Sequence, residues 1–140
     1  MWSLARRLDP RHNRNGCPPQ DLPRTGGTFD TPHAQTHSAV LPYAAAFNAE
    51  AAPEAMDRIV RALEEVGRPA PDAATGLWQL ATDIGANTSL RALGLPESAL
   101  DEIVTQVVDA DPVNPRRVDA EGVRELLAQA YAGAAPTPIR

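Results

Sequence analysis

Apolar residues recur every three or four positions along most of this chain, the period of a helix that buries one side. Met56, Ile59, Val60, Leu63 and Val66 form one such stripe, opened by Pro53 and stopped by Gly67. A second runs through Leu77, Trp78, Leu80, Ala81 and Ile84, capped by Asp72 and ended by Gly85. "RPAP" between these two stripes reads as a turn. "TSLRALG" reads as a short helical segment capped by Thr88 or Ser89. After Pro96, Leu100, Ile103, Val104 and Val107 make another stripe, and after the loop "DPVNPRR", Asp119 caps a last helix, "AEGVRELLAQAYAG". Upstream of all these, Asp30 or Thr31 can cap a helix with Pro32 in its first turn, where a missing N–H costs nothing. Pro42 lies inside that pattern and should kink or break it. No stretch alternates apolar and polar residues as a half-buried strand does. The expectation is an all-α fold, a helical bundle of five or six helices, with the tail "AAPTPIR" frayed.

The first 25 residues break the pattern. "DPRHNRNGCPPQDLPR" carries Pro, Gly and Asn punctuation and no apolar period of either kind. The expected organisation is therefore an irregular leader over 1–25, a helical domain over 26–133 and a tail over 134–140. The length is one domain's worth, enough for a modest core. Aromatic residues make up only 4%, so that core must come from Leu, Val, Ile and many Ala. All thirteen basic residues are Arg, and with 14 Pro this suggests a GC-rich genome, which says nothing of function.

Charge narrows the partners. The net charge of −5 argues against nucleic acid, which needs a concentrated basic face. The balance is uneven: residues 1–28 hold five Arg against two Asp, whereas 29–140 hold eight Arg against sixteen acids. No apolar run approaches the roughly 20 residues that span a bilayer, and the basic start of the chain lacks the apolar core of a secretory signal. The single Cys17 has no internal disulfide partner, so a reducing cytoplasm is the expected compartment.

His33 and His37, one helical turn apart, are the candidate chemistry. Two His at this spacing occur in helical metal sites, but on spacing alone two partly buried, hydrogen-bonded residues are the commoner outcome. A metal needs three or four ligands, and the remaining His12 and Cys17 lie in the irregular leader. Neither a complete metal site, a catalytic triad nor a Gly-rich phosphate loop is visible.

The run "GGTFDTPHAQTHSAVLPYAAAFNAEAAPEAM" resembles the start of the C-terminal helical domain of iron-containing alcohol dehydrogenases, and more narrowly of maleylacetate reductases. The similarity continues through "GLWQLATDIGANTSLRALGLPESALDEI" and "NPRRVDAEGVRELLAQAYAG", so it covers about Gly26 to Gly133. Gln35 stands where Glu is usual, and Tyr43 where the family often has His after Leu-Pro. The resemblance implies a two-domain enzyme, a homodimer when complete. An α/β domain binds NAD(P)H, and a helical domain closes the cleft. In metal-dependent members an Asp and three His hold a divalent ion, iron or zinc. His33 matches the last of those His, whereas the position fourteen residues earlier is Pro19. Maleylacetate reductases are often regarded as working without a tightly held metal; there His33 and His37 would be catalytic, as hydrogen-bond donors or proton sources at the substrate end of the cleft. The implied reaction moves hydride from the nicotinamide to the double bond of maleylacetate, giving 3-oxoadipate, in the breakdown of chlorinated or hydroxylated aromatics. The substrate is a small-molecule dicarboxylate, and a cationic His suits a dianion.

The family expects a run such as His-His-Lys-Ile-Cys-His-Val before "GG". Back-translating its Lys-containing part with common codons and reading from the third base gives Gln-Asp-Leu-Pro-Arg, which is Gln20 to Arg24. The leader is therefore expected to be a shifted reading frame, with the true frame resuming near Thr25 or Gly26. The chain would then carry only the helical domain and be inactive alone. Two other readings are a fragment of a metal-dependent alcohol dehydrogenase and a free-standing helical interaction or metal-binding module. A domain built to face a cofactor domain should expose an Ala-rich apolar patch around His33 and His37, whereas a self-contained module should close its core. Further expectations are weaker. Arg116, with Arg117, could meet a substrate carboxylate bidentately, although a solvent-facing loop Arg is the commoner fate. Phe29 lines the cleft by position or packs in the core, Asn114 shapes its turn, and Trp78 is core.

Overall fold

A computed structural model describes residues 33–139, with side chains from Gln35 onward. The leader, Phe29 and the expected cap at Asp30, Thr31 and Pro32 lie outside the described residues. Among those described, five α-helices and no strand are present: α1 (His33–Asn48), α2 (Pro53–Glu65), α3 (Ala73–Asp83), α4 (Leu100–Asp109) and α5 (Ala120–Ala132). A single 3-10 turn, Glu97–Ala99, leads into α4. The all-α reading holds.

α1 is the axis of the bundle. It packs against α3 on one side and α5 on another, while α4 lies on α5 and α2 lies on α3. From Ala39 to Asn48 every residue except Leu41 is buried. A helix enclosed on several sides has no polar stripe, which is why its sequence reads as apolar nearly all round. The buried positions of α3 are all small: Ala73, Ala74, Gly76 and Ala81. A Cβ on Gly76 would run into the Leu63 side chain and come within 2.7 Å of the Ala70 Cβ. Gly122 on α5 is pressed in the same way: an added Cβ would lie 2.7 Å from the Phe47 ring.

The expected breaks and caps meet mixed outcomes. Pro42 does not end its helix: α1 runs through it, and Pro42 is fully buried. An internal proline costs about 3 kcal/mol or more, and burial of the surrounding decapeptide against two helices outweighs that. Asp72 accepts from the Thr75 N–H at 2.8 Å, and Asp119 from the Gly122 N–H at 2.8 Å, as their sequence positions predict. Gly67, Gly85 and Gly133 take left-handed backbone just past their helices. Val66 and Ile84 are 69% exposed, because the stop signals that follow them place them beyond the last buried turn.

"TSLRALG" is not a helix but a run of turns. Its polar groups are spent on the end of α5. Leu90 N–H donates to the Ala130 carbonyl at 2.9 Å, and the Ser89 hydroxyl to the Tyr131 carbonyl at 2.8 Å. The last carbonyls of a helix have no partner within it, and this loop supplies them. The tail is not frayed either. Ile139 is buried, and the backbone of 133–139 is bonded by side chains from across the molecule.

Candidate functional site

The two histidines sit on the helix that the rest of the bundle encloses. His33 is the first residue of α1, and its side chain lies outside the described residues. His37 is one turn further on, half-buried and engaged with a neighbour, beside a buried Thr36. Leu41, the next position on that side, is 40% exposed. The expected Ala-rich patch is not open among the described residues: Ala39, Ala44, Ala45 and Ala46 all lie in the core. They are where α1 is wrapped by α3 and α5, so alanine there permits close helix packing rather than offering a surface.

Arg116 is placed at the other end of α1. Its guanidinium lies over the Phe47 ring, 4.3 Å from the centroid, and donates to the Ile139 carbonyl at 2.6 Å and more weakly to that of Phe47 at 3.4 Å. Ten residues of helix separate Phe47 from His37, about 15 Å along the axis at 1.5 Å per residue. The structure therefore does not bring Arg116 and His37 together. Arg117, next to it, is exposed.

Asn48 and Asn114 complete this far node. Asn48 Oδ1 accepts from Asn114 Nδ2 at 2.7 Å and from the Arg116 N–H at 3.4 Å, while its own Nδ2 donates to the Ala44 carbonyl at 2.9 Å. Asn114 Nδ2 also donates to the Arg116 carbonyl at 2.7 Å, so it shapes its turn as expected. Asn48 was not singled out in the sequence; its position in an apolar run between Phe47 and Ala49 is the only signal that could have marked it.

Tyr43 is the third feature. It is completely buried on α1, with its hydroxyl 2.8 Å from the Ala134 carbonyl and 3.2 Å from that of Thr88. Its one hydrogen serves the nearer acceptor. Burial pushes its phenol up to about 12, with a hydrogen bond to the Trp78 side chain pulling the other way. Trp78 is half-buried against the core, and its indole N–H donates to the Gly133 carbonyl at 3.1 Å.

No group of three His, Cys, Asp or Glu side chains among the described residues could hold a metal ion. The donor set for a divalent ion is not assembled among them. Nor do the described residues contain a strand from which a nucleotide-binding loop could spring.

Residues 23–131 match the model of the iron-containing alcohol dehydrogenase family's C-terminal region. The chain belongs to that family. Among its curated relatives, the maleylacetate reductase of Sphingobium indicum is 46% identical over 111 residues, which is 79% of this chain and 30% of that protein. Maleylacetate reductase 1 of Rhodococcus opacus is 41% identical over the same length. Two solved structures extend the likeness to three dimensions. The maleylacetate reductase of Rhizobium sp. strain MTP-10005 superposes with a TM-score of 0.66 at 36% identity, covering 76% of this chain and 29% of that one. An iron-containing alcohol dehydrogenase from Corynebacterium glutamicum gives 0.70 at 32% identity, covering 99% of this chain and 32% of that one. The chain thus spans about 30% of the length of the curated relatives it matches. No helix among the described residues is long and apolar enough to cross a membrane.

Proposed function

We propose that this chain is the helical domain of a maleylacetate reductase, working with a nucleotide-binding domain to reduce maleylacetate to 3-oxoadipate. The observation that carries the reading is 46% identity to a maleylacetate reductase over 111 residues, 79% of this chain. When bound, NAD(P)H would supply the hydride, and it would be held by the part of the relatives that this chain does not cover. A dicarboxylate substrate would meet the start of α1, where His33 and His37 lie. His37 would donate a hydrogen bond to a substrate carboxylate or a proton to the carbon that does not take the hydride. Thr36, next to it, is buried. Arg116 would act at a distance from the substrate, as an anchor of the opposite end of α1. Phe29 is proposed as a cleft residue and the complete enzyme as a homodimer. The leader over 1–25 is proposed to be a shifted frame of the same gene, which sequencing of the locus would test by revealing an intact upstream frame.

The second reading, a metal-dependent alcohol dehydrogenase of the same family, keeps His33 as an iron or zinc ligand. The Corynebacterium glutamicum structure shares the fold at 32% identity, but the maleylacetate reductases at 46% and 41% do not favour this reading. One experiment separates the two. Residues 26–140 are joined to the preceding portion of the Sphingobium indicum enzyme, and NADH and NADPH oxidation are followed with maleylacetate and with simple aldehydes. Turnover of maleylacetate that survives chelation supports the reductase. Aldehyde turnover that chelators abolish, with none for maleylacetate, overturns it.

A further inference from the structure

The segment after α5 has neither helix nor strand, yet side chains from five parts of the molecule hold its backbone. The Gly133 carbonyl accepts from the Trp78 indole of α3 at 3.1 Å and, at 3.5 Å, from the Thr88 hydroxyl. The Ala134 carbonyl accepts from Tyr43 of α1 at 2.8 Å. Thr137 N–H donates to the Gln129 side chain of α5 at 2.8 Å, and the Ile139 carbonyl accepts from Arg116 at 2.6 Å. Only Ile139 adds a buried large side chain. The segment turns away from α5 at Gly133, whose backbone is left-handed and where an added Cβ would fall 2.6 Å from the Ser89 Cβ, so a side chain is excluded there.

Two of these anchors converge on one face of α1. Tyr43 and Phe47 are one helical turn apart; Tyr43 bonds the segment directly, and Phe47 carries the guanidinium that bonds its far end. α2, by contrast, packs mainly on α3 and supplies no donor to the segment. We infer that residues 134–139 form a latch on α1, whose release loosens that helix ahead of the rest of the bundle. The latch reads backbone carbonyls, so it depends on the donors more than on its own side chains. Because α1 carries both histidines, the seating of the latch sets how firmly that helix is held. The inference concerns the coupling of two segments and stands whatever the substrate.

Hydrogen exchange by mass spectrometry tests it, on the full chain, on a variant lacking residues 134–140, and on Tyr43→Phe, which keeps the ring and removes one donor. Peptides from 39–48 should exchange about ten-fold faster or more in both variants. Peptides from 53–65 should keep their rate. In a Trp2→Phe background, the emission of Trp78 should shift to the red in the truncated form. An unchanged rate over 39–48 in Tyr43→Phe overturns the latch. So does equal acceleration over 39–48 and 53–65, which would make the segment an ordinary part of one cooperative core. If the truncated chain fails to fold, Tyr43→Phe alone decides.

Discussion

Tyr43 is a phenol sealed in the core of a bundle whose basic residues are all Arg. Its pKa of about 12 in the folded chain compares with about 10 when unfolded. Between those values the unfolded chain has released the proton and the folded chain has not. The unfolded state then binds fewer protons, so stability falls as pH rises. The loss should begin near pH 10 and be complete near 12, roughly 3 kcal/mol in all. Urea denaturation at pH 8, 10 and 11.5 measures it, and Tyr43→Phe should flatten this part of the profile. A parallel pH loss in Tyr43→Phe would assign the effect to other groups. Two glycines make a different residue-scale prediction. Gly76→Ala places a methyl group 2.7 Å from the Ala70 Cβ, and Gly122→Ala places one 2.7 Å from the Phe47 ring. Helix propensity alone would favour alanine by about 1 kcal/mol. Overpacking costs about 1–3 kcal/mol, so both variants should lose stability, Gly76→Ala more because two neighbours are hit. A rise in melting temperature for either would mean that α2 or Phe47 yields without cost.

For the elements, local signals worked where the physics is local. A carboxylate three residues before an N–H it can reach is a cap in any context, and Asp72 and Asp119 are caps. Replacing either with Ala should cost about 1 kcal/mol. Asp72→Ala should cost the more, since Asp72 also accepts from the Thr75 hydroxyl at 2.8 Å. Chemical denaturation of the two variants ranks them, and equal, negligible losses would mean that water replaces both caps. Signals failed where the deciding partner is distant in sequence. The Pro42 penalty is intrinsic and readable, but the burial that overrides it comes from α3 and α5. "TSLRALG" has helical composition, but its donors go to carbonyls about 40 residues later. The tail looks loose because the groups that hold it belong to Tyr43, Gln129 and Arg116, and no pattern within seven residues can reveal that. The site was half legible in the same sense. The His33–His37 spacing marks a helix face, and only family likeness gives it chemistry. Arg116 advertised an anion site but spends its guanidinium on the ring and carbonyl of its own fold.

For the whole molecule, the bundle closes most of its own core, yet the sequence has no Gly-rich phosphate loop and the described residues have no strand to carry one. Hydride transfer needs the nicotinamide held about 3–3.5 Å from the accepting carbon, and on the proposed reading the histidine-bearing start of α1 would offer only one wall of such a site. The purified 140-residue chain should therefore neither bind NADH nor oxidise it with maleylacetate. Joined to the nucleotide-binding portion of the Sphingobium indicum relative, the same residues should turn over. In that chimera His37→Ala should lower kcat/KM more than Gln35→Ala does. Two residues of helix turn the side chain by about 200°, so Gln35 points roughly 160° away from His37. Gln35 is indeed exposed, whereas His37 is half-buried and engaged. NADH oxidation followed at saturating and limiting maleylacetate separates a binding role, seen in KM, from a proton-donating one, seen in kcat. Clear turnover by the isolated chain would overturn the dependence on a second domain, and equal activity of the His37→Ala and Gln35→Ala chimeras would remove His37 from the site.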